Sequence, residues 1–204
     1  MLAQLCHRNN TLKNKTMKTN FLKATVLVAL ALVFTNCSKD DDEPQVNPLA
    51  TYINEAGFNE ETTDVINSSS YEFGYSFIPT VNGKIKAIVA KIPDAHTDMR
   101  VTIWDVATET VLRTELVTVE ADVEVTKKIT ALSLTKDKEY MITFNSDDWY
   151  DHRRTDNSNA TYPFNAGNII ITGYGYASGA AQTFPVTFPN SYYAGDVSFK
   201  FQKN

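Results

Sequence analysis

Strict alternation of apolar and polar residues, in short runs, constrains this chain more than any other feature. In "DVSFKFQ" (196–202), Val197, Phe199 and Phe201 point one way, and Asp196, Ser198, Lys200 and Gln202 the other. "EYMITFN" (139–145) repeats the pattern with Tyr140, Ile142 and Phe144. "MRVTIWDV" (99–106) sets Val101 and Ile103 against Thr102 and Trp104. A period of two is what a strand with one buried face requires. "YEFGYSFI" (71–78), "KIKAIVAKI" (84–92), "ETVLRTELVTV" (109–119), "VEVTKKITALSL" (123–134) and "NIIITGYGY" (168–176) are further segments rich in β-branched and aromatic residues. Turn signals separate them at Asn82-Gly83 and Lys136-Asp137. About eight short strands at this spacing predict an all-β, antiparallel two-sheet β-sandwich of jelly-roll or immunoglobulin-like type. Phe77, Ile88, Leu116, Ile142, Phe199 and Phe201 are expected among its interior residues. A module of about 150 residues can bury close to 70% of its unfolded surface, so it needs no staple. No amphipathic helix is evident, and Asn54 to Asn59 reads as a helical turn.

The first forty residues have another character. From Met17, "MKTNFLKATVLVALALVFTNC" opens with Lys18 and Lys23, then runs from Ala24 to Phe34 with only Thr25 polar. That length suits a signal-peptide core and falls short of the roughly 20 residues of a membrane span. "FTNC" departs from the usual bacterial lipobox, with Phe34 where Leu is preferred and Asn36 where a small residue is preferred. The context still points to Cys37 as the lipidated first residue of the mature chain. The alternative is a plain secretory signal cut elsewhere. Two or more acyl chains anchor stably, whereas one binds marginally. "SKDDDEP" (38–44) resembles the lysine-plus-acid export signal of some Gram-negative lipoproteins, which directs them to the outer face of the outer membrane. The expected organisation is a signal-peptide region over 1–36 with its start at Met17, a lipidated cysteine and acidic flexible tether over 37–49, and a sandwich over 50–204. The expected location is the outer membrane, lipid-anchored at the cell surface, with the periplasmic face as the alternative.

Charge narrows the partners. Of 19 basic and 24 acidic residues, five and none fall in 1–36, which leaves 14 against 24, a net of −10, for residues 37–204. Nucleic-acid affinity rests on Lys and Arg neutralising phosphates, so nucleic acid is not expected as a partner. The two cysteines, Cys6 and Cys37, cannot make a disulfide scaffold.

The order of four segments resembles a bacterial family, the domain of unknown function 4082. They are "YEFGYSFIPTVNGKIKAIVAKI", "DAHTDMRVTIWDVATETVL", "KDKEYMITF" and "GYGYASGAAQTFPVTFPNSYYAGDVSFKF", spanning about residues 57–202. The chain departs from that family at Gly195, where Trp or Val is usual. The resemblance implies a β-sandwich of the sort that accompanies glycan-active or immunoglobulin-like modules in secreted bacterial proteins.

Two stretches offer chemistry. "NSDDWYDHRRTDNSNATYPFNAGN" (145–168) reads as a long polar loop following a strand. Trp149, Tyr150 and Tyr162 supply flat rings, and Arg153, Asp148 and Asp151 supply hydrogen bonds, the combination a sugar-binding cleft uses. Asp147, Asp148 and Asp151 are also the oxygen ligands that Ca²⁺ takes, although no Asp-x-Asp-x-Asp-Gly loop is present. The competing reading is a solvated loop whose aromatics pack on the end of the sandwich. In "PDAHTDM" (93–99), Asp94, His96 and Asp98 alternate, which suits either three metal ligands or a hydrogen-bonded turn.

No Gly-x-Ser-x-Gly, His-Glu-x-x-His or P-loop occurs. The expected function is therefore a non-catalytic envelope lipoprotein binding glycan or an envelope protein. A structural or adhesin-like accessory is one alternative. A carboxylate-dependent glycan hydrolase using Asp147 and Asp151 is the other.

Overall fold

Each alternating segment becomes a strand, and the strands close two antiparallel sheets. The computed structural model describes residues 44–58 and 61–204. The signal-peptide region, Cys37 and the acidic stretch up to Glu43 lie outside the described residues. The strands are β1 (Glu61–Pro79), β2 (Gly83–Lys91), β3 (His96–Asp105), β4 (Thr110–Val119), β5 (Val125–Leu134) and β6 (Tyr140–Arg153). They continue with β7 (Phe164–Ala166), β8 (Ile169–Ser178), β9 (Tyr193–Ala194) and β10 (Asp196–Lys203). The large sheet runs β4-β3-β6-β1-β8-β7, with β9 added to β6, and the small sheet runs β10-β2-β5. All eight sequence-derived strands are present, and β7 and β9 are additional short ones.

The core lies between the sheets because alternate side chains meet there. Phe73, Tyr75 and Phe77 of β1, Ile142 and Phe144 of β6, and Ile171 of β8 face Ile85 and Ile88 of β2 and Val197, Phe199 and Phe201 of β10, all buried. The Phe77 and Phe199 rings lie 4.6 Å apart. Four residues earlier in each segment, Phe73 abuts Gly195, the residue just ahead of β10. Strands β1 and β10 therefore march together, and the sandwich has two definable ends. One end carries Pro79, Asn82, Leu134 and the C-terminus, tied by Asp137 N–H donating to the Pro79 carbonyl at 2.9 Å and Asn204 N–H to Asn82 at 3.1 Å. The other end carries Tyr71, Trp149 and Ala194.

Three expectations need correcting. Leu116 is 51% exposed, while Val117 and Val119 are buried. The inward parity of β4 is set by pairing with β3, whose register shifts at Ile103/Trp104. The helical element is α1 (Pro48–Glu55), which meets the expected Asn54–Asn59 turn at Asn54 and Glu55, while Asn59 lies outside the described residues. Asn47 caps it by accepting from Ala50 N–H, and Pro48 fits the first turn, where its missing N–H costs nothing. The helix buries Leu49 and Tyr52, so packing against the sandwich starts ahead of residue 50. Just before it, Val46 exchanges two 2.9 Å backbone hydrogen bonds with Phe201.

The outer face of the large sheet is partly covered rather than wet. The segment from Gly179 to Asn190 crosses it, with Phe184 edge-on to Trp104 at 5.7 Å and Gln182 donating to Thr102 and Thr114. Beneath it, buried Glu72 accepts from Arg100 at 2.7 Å and from Thr143 at 2.5 Å. Trp104 Nε1 donates to the same Thr143 at 2.8 Å. These bonds satisfy the carboxylate that the strand pattern forces into the covered face.

Candidate functional site

The polar stretch expected as a loop from residue 145 is strand up to Arg153. β6 pairs with the early part of β1 from Glu61↔Arg153 to Ile66↔Asp148. It then resumes at Tyr71↔Ser146, so Asn67 to Ser70 bulge out opposite Asp147. Strand alternation divides the candidate residues between two faces. Asp148, Tyr150 and His152 share one face and are buried. Asp148 accepts from Ser146 Oγ at 2.8 Å and from Asp94 N–H at 2.7 Å. Tyr150 donates to Asp122 and lies under the Lys91 ammonium at 4.5 Å. His152 Nε2 is 2.6 Å from an Asp196 oxygen. Trp149, Asp151 and Arg153 take the other face. Trp149 and Tyr150 therefore do not form one binding surface. Tyr162 belongs to neither face, since its hydroxyl meets that of Tyr52 on α1 at 2.5 Å.

On the Trp149 side the sheet outruns its cover. There a cavity of about 190 Å³ is lined by Asn67, Tyr71, Phe73, Trp149, Tyr174, Tyr176, Tyr192 and Ala194. Tyr71 stands edge-on to Trp149 at 5.5 Å and to Tyr176 at 6.1 Å. Trp149 stands edge-on to Phe73 at 5.3 Å, and Tyr174 to Tyr192 at 5.6 Å. Edge-to-face contacts of this kind hold rings in fixed attitudes, which makes the walls rigid. Arg153 sits at the rim with its guanidinium 5.2 Å from the Tyr192 ring centre and 2.6 Å from Asp151 Oδ2.

Gly195 permits this closure. Its φ is +86°, and a Cβ there would run into the rings of Phe73 and Phe144. Its N–H donates to the Tyr150 carbonyl at 2.9 Å, holding β9 and Ala194 against β6. Residues with a side chain rarely adopt that φ.

The lining carries no charge at neutral pH. Burial pushes the Tyr174 phenol well above its ordinary value. The Tyr192 phenol is pushed up to about 12, by burial first and then by neighbouring Tyr176 and Asp151. Desolvation disfavours the phenolate in both cases.

Other candidates disperse. Among the described residues, no three His, Cys, Asp or Glu side chains are grouped to hold a metal ion, so Asp147, Asp148 and Asp151 do not form a Ca²⁺ cage. Asp147 and Asp151 are four strand residues apart, roughly 13 Å of backbone. Glycosidase carboxylates stand about 5–9.5 Å apart. Asp151 is moreover ion-paired to Arg153. Asp94 is at a turn, His96 opens β3, and Asp98 has φ +58° at the β3 register shift. A second cavity of about 230 Å³, between α1 and β2/β10, has Lys91, Glu124 and Asp196 among its lining residues.

Sequence reasoning placed Trp149 and Arg153 at the site and missed Asn67, Tyr71, Tyr174, Tyr176 and Tyr192. The available signal was tyrosine at successive inward positions, 174 and 176, of a strand otherwise lined by isoleucine. No protein-family model matches the chain, and no curated protein matches it.

Proposed function

We propose that this protein is a non-catalytic envelope lipoprotein, acylated at Cys37 and displayed at the outer membrane, whose β-sandwich binds glycan. The observation that carries the binding half of this reading is the uncharged aromatic pocket around Trp149. Flat rings match the C–H faces of a pyranose, and the phenol tips and the Asn67 amide match its hydroxyls. The pocket is built on strands rather than a mobile loop, so its geometry is set before a ligand arrives. The anchoring half rests on the basic residues, apolar core and cysteine of residues 17–37.

Removing the indole tests the binding half. Trp149→Ala is expected to abolish glycan binding measured by calorimetry against a soluble polysaccharide panel, with the fold retained by circular dichroism. Unchanged binding in that variant would refute the pocket as the site. Mass spectrometry of the mature protein checks the anchor, and an intact N-terminus with an unmodified Cys37 would refute it.

A second reading is favoured by a different observation. Val186 and Phe188 are 72% and 59% exposed on the segment that crosses the outer face. Neighbouring apolar side chains on one surface suit an accessory that docks on another envelope protein.

A further inference from the structure

A pocket made of rings can take many ligands, and the charges around it narrow the choice. No Lys, Arg, His, Asp or Glu belongs to its lining. The cation at the rim, Arg153, is committed. Its Nη2 and Nε donate to Asp151 Oδ2 at 2.6 and 3.2 Å, and its flat face covers Tyr192. Asp151 is itself buried against the strand, only 6% exposed. A ligand carboxylate entering the pocket would shed water and find no uncommitted cation in the lining among the described residues, and desolvation without a partner is costly.

Size adds a second limit. Drug-sized ligands occupy pockets of about 300–1,000 Å³. The cavity here is about 190 Å³, room for one ring and its substituents.

The third element is Asn67. Its Oδ1 accepts from Ser69 N–H at 3.1 Å inside the four-residue bulge of β1, which orients the amide nitrogen as the donor this residue offers. A donor of that kind pairs with the lone pairs of a hydroxyl or ring oxygen.

We infer that the Trp149 pocket takes a single uncharged sugar ring and discriminates against uronic acids. This deepens the glycan-binding reading and rests on it.

The test uses the mature full chain carrying Trp104→Phe, which leaves Trp149 as the one indole of the protein's two. Trp149 emission is followed during titration with methyl glucoside, galactoside and mannoside, and with methyl glucuronide and galacturonide. At least one neutral glycoside is expected to saturate the signal, with its uronide bound at least tenfold more weakly. Asp151→Asn, which removes the carboxylate charge that opposes Arg153, is expected to narrow that ratio several-fold without changing the neutral affinity by more than about twofold. A melting curve confirms that the variant is folded, and the comparison on the Trp104→Phe protein stands without it. A uronide that binds as tightly as its neutral parent overturns the inference and leaves glycan binding intact. Silence to every sugar overturns both.

Discussion

Gly195 concentrates two separable costs in one position, and a paired substitution measures each. Gly195→Ala places a Cβ at φ +86°, where a left-handed backbone costs an L-residue about 1–2 kcal/mol. The same Cβ collides with Phe73 and Phe144 in the packed core, and overpacking costs about 1–3 kcal/mol more. Gly167→Ala is the internal control, since φ is +73° there and a Cβ would meet nothing within 4 Å. Its cost should be the backbone part alone, about 1 kcal/mol. Gly195→Ala should lose about 2–5 kcal/mol in all, which for a module of this size lowers Tm by roughly 5–15 °C. Equilibrium urea unfolding followed by tryptophan emission reads both variants. The midpoint of Gly195→Ala should fall by about 1–2 M relative to the parent. Equal losses in the two variants would refute the argument that ring packing against Gly195 fixes the position of β9.

Other consequences are as direct. Phe199→Ala removes the ring that meets Phe77 at 4.6 Å and should cost about 3–5 kcal/mol in the same urea assay. Burial raises the phenols of Tyr75, Tyr174 and Tyr193. The unfolded chain ionises near pH 10, so the stability that depends on neutral phenols is complete below that pH and is lost as pH rises beyond it. Tyrosinate absorbance at 295 nm should therefore appear largely together with alkaline unfolding. Lys138 donates to Asp105 at 2.5 Å, and this bond holds the carboxyl below its ordinary value. That contribution is present above about pH 4 and is lost as pH falls through the lowered value, so the parent and Asp105→Asn should converge in acid unfolding.

Legibility in the sequence followed the source of each residue's environment. "DVSFKFQ" and "EYMITFN" alternate because a single sheet face meets the core, and both strands were readable from that period. The extension of β6 through "SDDWYDHR" was not, because its buried polar residues answer to partners remote in sequence. Asp148 answers to Asp94, Tyr150 to Asp122 and His152 to Asp196. Hydrophobic periodicity is silent about a strand whose inward residues are satisfied by hydrogen bonds. Helix α1 did leave a signal, Asn47-Pro48 at its start, but eight residues that bury only Pro48, Leu49 and Tyr52 make a weak pattern. Only a small part of the site was visible, for the same reason. Trp149 and Arg153 stand out in a polar stretch, whereas Tyr174 and Tyr176 pass for ordinary core residues until the small sheet is seen to stop short of them.

The Val46–Phe201 bridge fixes where an external force enters this module. It clasps the chain near the C-terminal end of β10, about seven residues, or on the order of 20 Å, from Ala194 at the pocket. A pull along the preceding segment would load that clasp and α1 before it reached β9. The next element along the chain is β1, whose Asn67 and Tyr71 line the pocket, so the aromatic walls would be shielded only while the clasp holds.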